Sequence, residues 1–151
     1  MTQASDLVGT WRLVEWTADT DGRPVTPFGG QTTGLITYTD DGRMWGTLMR
    51  VDRSHVDGDT LAAAPEAQRA RAATGYLNYA GTYRVVGPTV IHTVEVSLFP
   101  NWIGSEQVRE IQWVPNDGDG MDMMLSAQRI SSRGGTVTNR LTWRRLEEWD
   151  V

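Results

Sequence analysis

From Tyr79 to Leu146 the chain alternates in polarity almost without a break. His92, Val94, Val96 and Leu98 alternate with Thr93, Glu95 and Ser97. After Phe99-Pro-Asn-Trp-Ile-Gly, the residues Gln107, Arg109, Ile111 and Trp113 alternate with Glu106, Val108, Glu110 and Gln112. A period of two is the signature of a strand with one face buried. Turning the more polar set of each strand to water sends His92 and Arg109 inward, among apolar side chains. Unpaired polar groups are costly there, so both require partners.

The same reading extends through the chain. Residues 7–18 alternate around Trp11 and Leu13 and predict a first strand, followed by a Pro- and Gly-rich connection from Asp19 to Gly34. Asp40-Asp41-Gly42 between Leu35-Ile-Thr-Tyr-Thr and Arg43-Met-Trp-Gly-Thr-Leu-Met is a hairpin signal. A three-residue loop with left-handed Gly42 pairs Thr39 with Arg43 and sets Tyr38 beside Met44; a two-residue loop sets Tyr38 opposite Trp45. Val51 to Leu61 is loop-like. Residues 62–77 form the predicted helix, with Pro65 in its first turn and Ala63, Ala67, Ala70, Thr74 and Leu77 on one face. That face fits a lid or barrel plug, or a helix packed on the outside of the sheet. Beyond the turn at residues 115–120, Met121, Met123, Leu125 and Ala127 share a face, and Asn139, Leu141 and Trp143 share one in the last strand. The tail from Glu147 has no pattern and is expected to fray.

Eight strands, short turns and one helix in 151 residues predict a single all-β domain, residues 1–151. The expected form is an antiparallel up-and-down barrel, with a two-sheet sandwich as the structural alternative. A closed barrel of this size has no exposed edges and can hold one small ligand.

Composition removes several classes of chemistry. The 14 basic residues are all arginines, so Schiff-base catalysis by lysine is excluded. Absent cysteine excludes disulfides and thiolate chemistry. His55 and His92 are the two histidines, too few for a protein-only metal site, and no cofactor is expected. A net charge of −5 argues against nucleic-acid binding. No apolar run reaches membrane-spanning length and no signal peptide opens the chain, so a soluble cytoplasmic protein is expected.

Gly9-x-Trp11 with Arg144 and Arg145 in the last strand looks like the lipocalin closure, in which a tryptophan plugs one barrel end beneath an arginine. More broadly, residues 7–146 resemble the bacterial and fungal lipocalin-like domain family of small barrels. The matching pieces are Leu7-Val-Gly-Thr-Trp-Arg-Leu, Gly34-Leu-Ile-Thr-Tyr-Thr-Asp-Asp-Gly-Arg-Met, Tyr79-Ala-Gly-Thr-Tyr, Val108-Arg109 and, most specific, the block from His92 to Gly104. Trp45 departs from the family, where small residues are common, and would narrow the cavity if it points inward. The resemblance implies the barrel and a central cavity. It raises the prospect of natural-product cyclases, isomerases or dehydratases without fixing a reaction.

Two readings of function follow. In the first, a cofactor-independent enzyme folds a hydrophobic, polyketide-like intermediate inside the barrel, with His92 exchanging a proton and Arg109 stabilising oxyanion charge. In the second, the same cavity carries or senses an apolar ligand without changing it. Tyr38, Met44, Trp45, Tyr83, Val94, Asn101, Trp102, Ile111, Met123 and Trp143 are the expected ligand-contacting residues. Each has a plainer reading: His92 as a satisfied structural histidine, Arg109 paired with Glu15, Asn101 bonded to its own turn, and the tyrosines and methionines as core. The expected partner is a hydrophobic small molecule; the chain alone leaves a homodimer open.

Overall fold

In the computed structural model, residues 1–147 are described. Of the tail expected to fray, residues 148–151 lie outside them. The strands are β1 (Gly9–Thr20), β2 (Arg23–Val25), β3 (Thr32–Tyr38), β4 (Arg43–Arg50), β5 (Tyr76–Val86), β6 (Thr89–Ser97), β7 (Glu106–Pro115), β8 (Met121–Ile130) and β9 (Thr136–Arg145). All pair antiparallel in the order β2-β1-β3-β4-β5-β6-β7-β8-β9, and β1 also pairs with β9. With β2 a short flap on β1, the other eight strands form a closed up-and-down barrel, so the sandwich alternative does not apply.

The β3–β4 hairpin takes the three-residue loop. Thr39 N–H donates to the Arg43 carbonyl (2.9 Å), and Gly42 has a φ of 84°, a left-handed conformation that costs glycine little. Tyr38 therefore pairs with Met44, both point inward, and Trp45 turns to the outside, where it is 46% exposed. The family departure at Trp45 thus leaves the interior untouched.

Three local expectations change. The connection after β1 is shorter than Asp19 to Gly34, because β1 continues to Thr20 and folds back through Asp21 and Gly22 into β2. The helix α2 spans Glu66–Thr74, not residues 62–77. Gly75 ends it, and Leu77 is drawn into β5 opposite Leu48. Its small alanine face buries no residue and α2 sends no side chain into the barrel interior, so this helix of the β4–β5 connection is not a plug. The plug is instead the N-terminal turn α1 (Ala4–Leu7), whose Leu7 is fully buried.

That plugged end is held as the Gly-x-Trp pattern implies. Arg145 lies over the Trp11 ring at 4.1 Å and donates to the carbonyls of Asp6 and Val8. The Trp11 indole N–H donates to the Leu7 carbonyl (2.9 Å). Arg144 points outward and clamps Asp122 through two hydrogen bonds of 3.1 and 2.9 Å, which holds that carboxyl below its usual range. Leu7, Trp11, Tyr38, Met44, Val90 and Met123 fill this half of the barrel.

Two bulges break the alternation. Between Leu13 and Glu15, β1 has one residue more than β9; Trp16 swings toward the interior and Glu15 to the surface. Between Val94 and Val96, β6 carries an extra residue, Glu95, opposite Ala80 and Gly81 of β5. Beyond it the phase reverses, and Val96 is 61% exposed, against the inward placement read from its spacing. Gly81 sits where the strands approach most closely: a Cβ there would stand 1.9 Å from the Thr93 carbonyl oxygen.

Candidate functional site

The half of the barrel away from the plug is hollow. A cavity of about 530 Å³ lies inside the ring of the eight barrel strands and reaches the end where Trp102 and Glu106 stand. Its walls are mainly apolar, with Leu48, Leu77, Leu125, Leu141 and Trp143 prominent. Tyr79 of β5, His92 of β6 and Arg109 of β7 make one polar corner, and Thr47, Gln128, Arg129 and Asn139 add polar groups from β4, β8 and β9.

Strand geometry brings these three together. Tyr79, Gly81 and Tyr83 fall on the inner face of β5, Val90, His92 and Val94 on that of β6, and Gln107 and Arg109 on that of β7, with Tyr83 opposite His92 and His92 opposite Gln107. His92 is fully buried, and each ring nitrogen meets a phenol: Nε2 lies 2.8 Å from the Tyr38 hydroxyl and Nδ1 2.7 Å from the Tyr79 hydroxyl. Tyr38 stacks edge-on against Tyr83, and Tyr79 edge-on against Trp102 at the cavity end. The Trp102 indole rests on the short helical turn Pro100–Trp102, whose proline fixes the backbone.

Burial, seconded by the nearby Arg109 cation, pushes the His92 pKa down to about 3, so the ring is neutral at physiological pH. Burial raises Tyr38 well above the ordinary phenol value. It raises Tyr79 too, against the opposing pull of Arg109. The Tyr38–His92–Tyr79 chain is therefore uncharged, and Arg109 supplies the cation of the corner. Arg109 donates to the Val108 carbonyl (2.9 Å) and to Gln107 Oε1 (3.3 Å). Among the described residues no carboxylate forms an ion pair with it. The alternative partner Glu15 is exposed, because the β1 bulge turns it away.

Of the residues expected to contact a ligand, His92, Arg109, Trp102 and Trp143 line the cavity. Tyr38, Met44, Val94, Ile111 and Met123 are buried in the packed core and do not line it. Tyr83 is nearly buried too, its hydroxyl donating to the Thr39 carbonyl (2.9 Å), so it too serves packing. Asn101 is exposed beside the cavity end, and Trp45 lies on the outer wall. Tyr79 and Trp16 were missed. Tyr79 alternates with Gly81 and Tyr83 and was legible on that ground; Trp16 was hidden by the bulge. Trp16 donates its indole N–H to Asn139 Oδ1 (2.9 Å) in the wall. The Trp143 indole N–H is buried without a partner among the described residues. Among the described residues no group of three metal-ligating side chains occurs, and no helix is long and apolar enough to cross a membrane.

Residues 8–146 match the sequence profile described as the lipocalin-like domain. The chain belongs to the lipocalin-like domain family. Membership agrees with the closed barrel and supports the binding of a small molecule inside it. Among characterised relatives of this lipocalin-like chain is the 4'-hydroxy-3'-methoxypropiophenone carrier protein of Aspergillus oryzae. It is 30% identical over 107 residues, which cover 66% of this chain and 93% of the relative. No solved structure matches the sequence.

Proposed function

We propose that this lipocalin-like barrel binds a small, mostly apolar molecule in its hollow half and carries it unchanged. The observation that carries this reading is the cavity itself: about 530 Å³ of mainly apolar interior with a few polar groups, among them the Tyr79–His92–Arg109 corner. Small-molecule sites have this composition, in which apolar walls supply affinity and a few polar groups fix orientation. The carrier relative supports the same reading and suggests a first ligand, 4'-hydroxy-3'-methoxypropiophenone.

Catalysis of a cyclisation, isomerisation or dehydration of a natural-product intermediate is the second reading, favoured by the Arg109 cation without a carboxylate partner. Its weak point is His92. A general base works best with a pKa near the operating pH, whereas this ring is held at about 3 with both nitrogens engaged.

Trp16, Trp102 and Trp143 line the cavity, so a bound aromatic ligand should quench tryptophan emission saturably. After long incubation, chromatography should recover the ligand intact. Leu141→Trp, which fills the hollow, should abolish quenching while the fold is retained. Conversion of the ligand would move the function to the enzyme reading; absence of saturable binding would overturn the proposal.

A further inference from the structure

The direction of each hydrogen bond along Tyr38–His92–Tyr79 follows from burial. Tyr38 is 1% exposed, and its hydroxyl has a single partner, His92 Nε2 at 2.8 Å. If Nε2 carried the imidazole proton, the Tyr38 hydroxyl would accept it, and its own proton would be left in the core with no acceptor. An unsatisfied buried donor is costly, since it gives up its bond to water and gains none in return. Tyr38 therefore donates to Nε2. The neutral ring then carries its proton on Nδ1 and donates it to the Tyr79 oxygen at 2.7 Å. The Tyr79 proton is left over, and the cavity is where Tyr79 has room to direct it.

Three side-chain acceptors of the lining are already engaged. Gln107 Oε1 accepts from Arg109, Asn139 Oδ1 accepts from Trp16, and Glu106 is paired with Arg84 at 2.8 Å. Arg109 can only donate, and two of its N–H groups are used on Val108 and Gln107, leaving others for the cavity. At the corner itself, the Tyr79 hydroxyl and the remaining Arg109 N–H groups are donors left over.

We infer that the ligand of this cavity carries a carbonyl-type oxygen on an otherwise apolar body, and that this oxygen is received by the Tyr79 hydroxyl, turned toward it by Tyr38 and His92, beside the Arg109 guanidinium. Tyr38 and His92 are positioning residues, since neither needs to touch the ligand. A relay of aligned hydrogen bonds polarises its last member, which makes Tyr79 a stronger donor than an isolated phenol. The inference rests on the binding reading above and adds the class of molecule.

Two measurements test it. Long-range proton–nitrogen correlation spectra of the uniformly ¹⁵N-labelled protein report which His92 nitrogen is protonated, and a His55→Gln variant assigns the signals. A pyrrole-type Nδ1 with a pyridine-type Nε2 is expected; the reverse tautomer overturns the inference. The second compares 2-acetylnaphthalene with 2-ethylnaphthalene, which has nearly the same shape but no acceptor. The ketone should bind roughly tenfold tighter, the size of one hydrogen bond plus an unmet buried donor. Tyr79→Phe should erase that preference without weakening the hydrocarbon, and Tyr38→Phe should reduce it from a distance. Equal binding of the two probes overturns the carbonyl assignment and leaves the binding reading standing. Failure of both to bind removes the two together.

Discussion

His92 should make this protein acid-sensitive in a calculable way. In the unfolded chain its imidazole titrates near its ordinary value of 6.5, but in the folded barrel not until about 3. Below the unfolded value, the unfolded state takes up a proton that the native state refuses, so stability falls with falling pH until the folded value is reached. The full difference corresponds to about 5 kcal/mol at 1.36 kcal/mol per pH unit, and about 2 kcal/mol of it is already lost between about pH 7 and about pH 5. Domains of this size have about 5–15 kcal/mol in total, so one buried ring would account for much of the acid limit. Urea unfolding of the wild type and of His92→Gln across this range isolates the effect, because titrating carboxylates contribute to both and cancel. The wild type should lose stability faster by about 1.4 kcal/mol per pH unit once below the unfolded value. A wild-type-minus-variant difference that stays flat through this range would refute the reasoning. So would a folded-state His92 nitrogen signal that titrates near neutrality.

Other consequences are independent of the ligand. Gly81→Ala forces a Cβ to within 1.9 Å of the Thr93 carbonyl oxygen, and urea unfolding should show a loss of about 3 kcal/mol or more. Arg145→Ala removes the contact with Trp11 and the bonds to Asp6 and Val8; a loss of about 2–4 kcal/mol is expected, with faster proteolysis of the first seven residues. Trp45→Ser, on the outer wall at 46% exposure, should leave ligand affinity unchanged by fluorescence titration. A large loss of affinity there would contradict the hairpin register.

Most of the barrel was legible because closure demands one simple rule, apolar inside and polar outside, from every strand. Asp40-Asp41-Gly42 narrowed the hairpin to two registers, and the inward course of His92 and Arg109 followed from alternation alone. Alternation could not reveal the bulges, since an extra residue changes the phase without leaving a compositional mark. Unbroken alternation therefore turns Glu15 inward as a partner for Arg109 and Val96 inward as well, whereas in the barrel both face outward. Nor could it separate the packed half of the barrel from the hollow half. Met44 and Leu141 both obey the same inward pattern, yet Met44 is sealed beneath the N-terminal turn whereas Leu141 lines the cavity. That difference depends on long-range placement: the chain before β1 folds under one end, whereas of the connections 21–31, 51–75 and 98–105 at the other end, only Trp102 reaches the cavity lining.

The two bulges and the buried histidine belong to one arrangement. An uninterrupted β1 would turn Glu15 inward, where a carboxylate near Arg109 would neutralise the cation and occupy its donors. An uninterrupted β6 would carry Val96 inward and Ser97 outward; with the bulge, Ser97 faces Tyr79 and its hydroxyl donates back to the Asn78 carbonyl at 3.2 Å. Each irregularity therefore removes a competing group from the hollow or steers its polar atoms into the wall. What remains at the corner is a neutral phenol–imidazole–phenol chain and a guanidinium with donors to spare. Such a corner is costly to leave unsatisfied inside apolar walls, because donors deprived of acceptors lose the hydrogen bonds that water would have given them. A ligand that returns an acceptor to that position stabilises the barrel as it binds, so thermal stabilisation should follow the acceptor strength of the ligand more closely than its size.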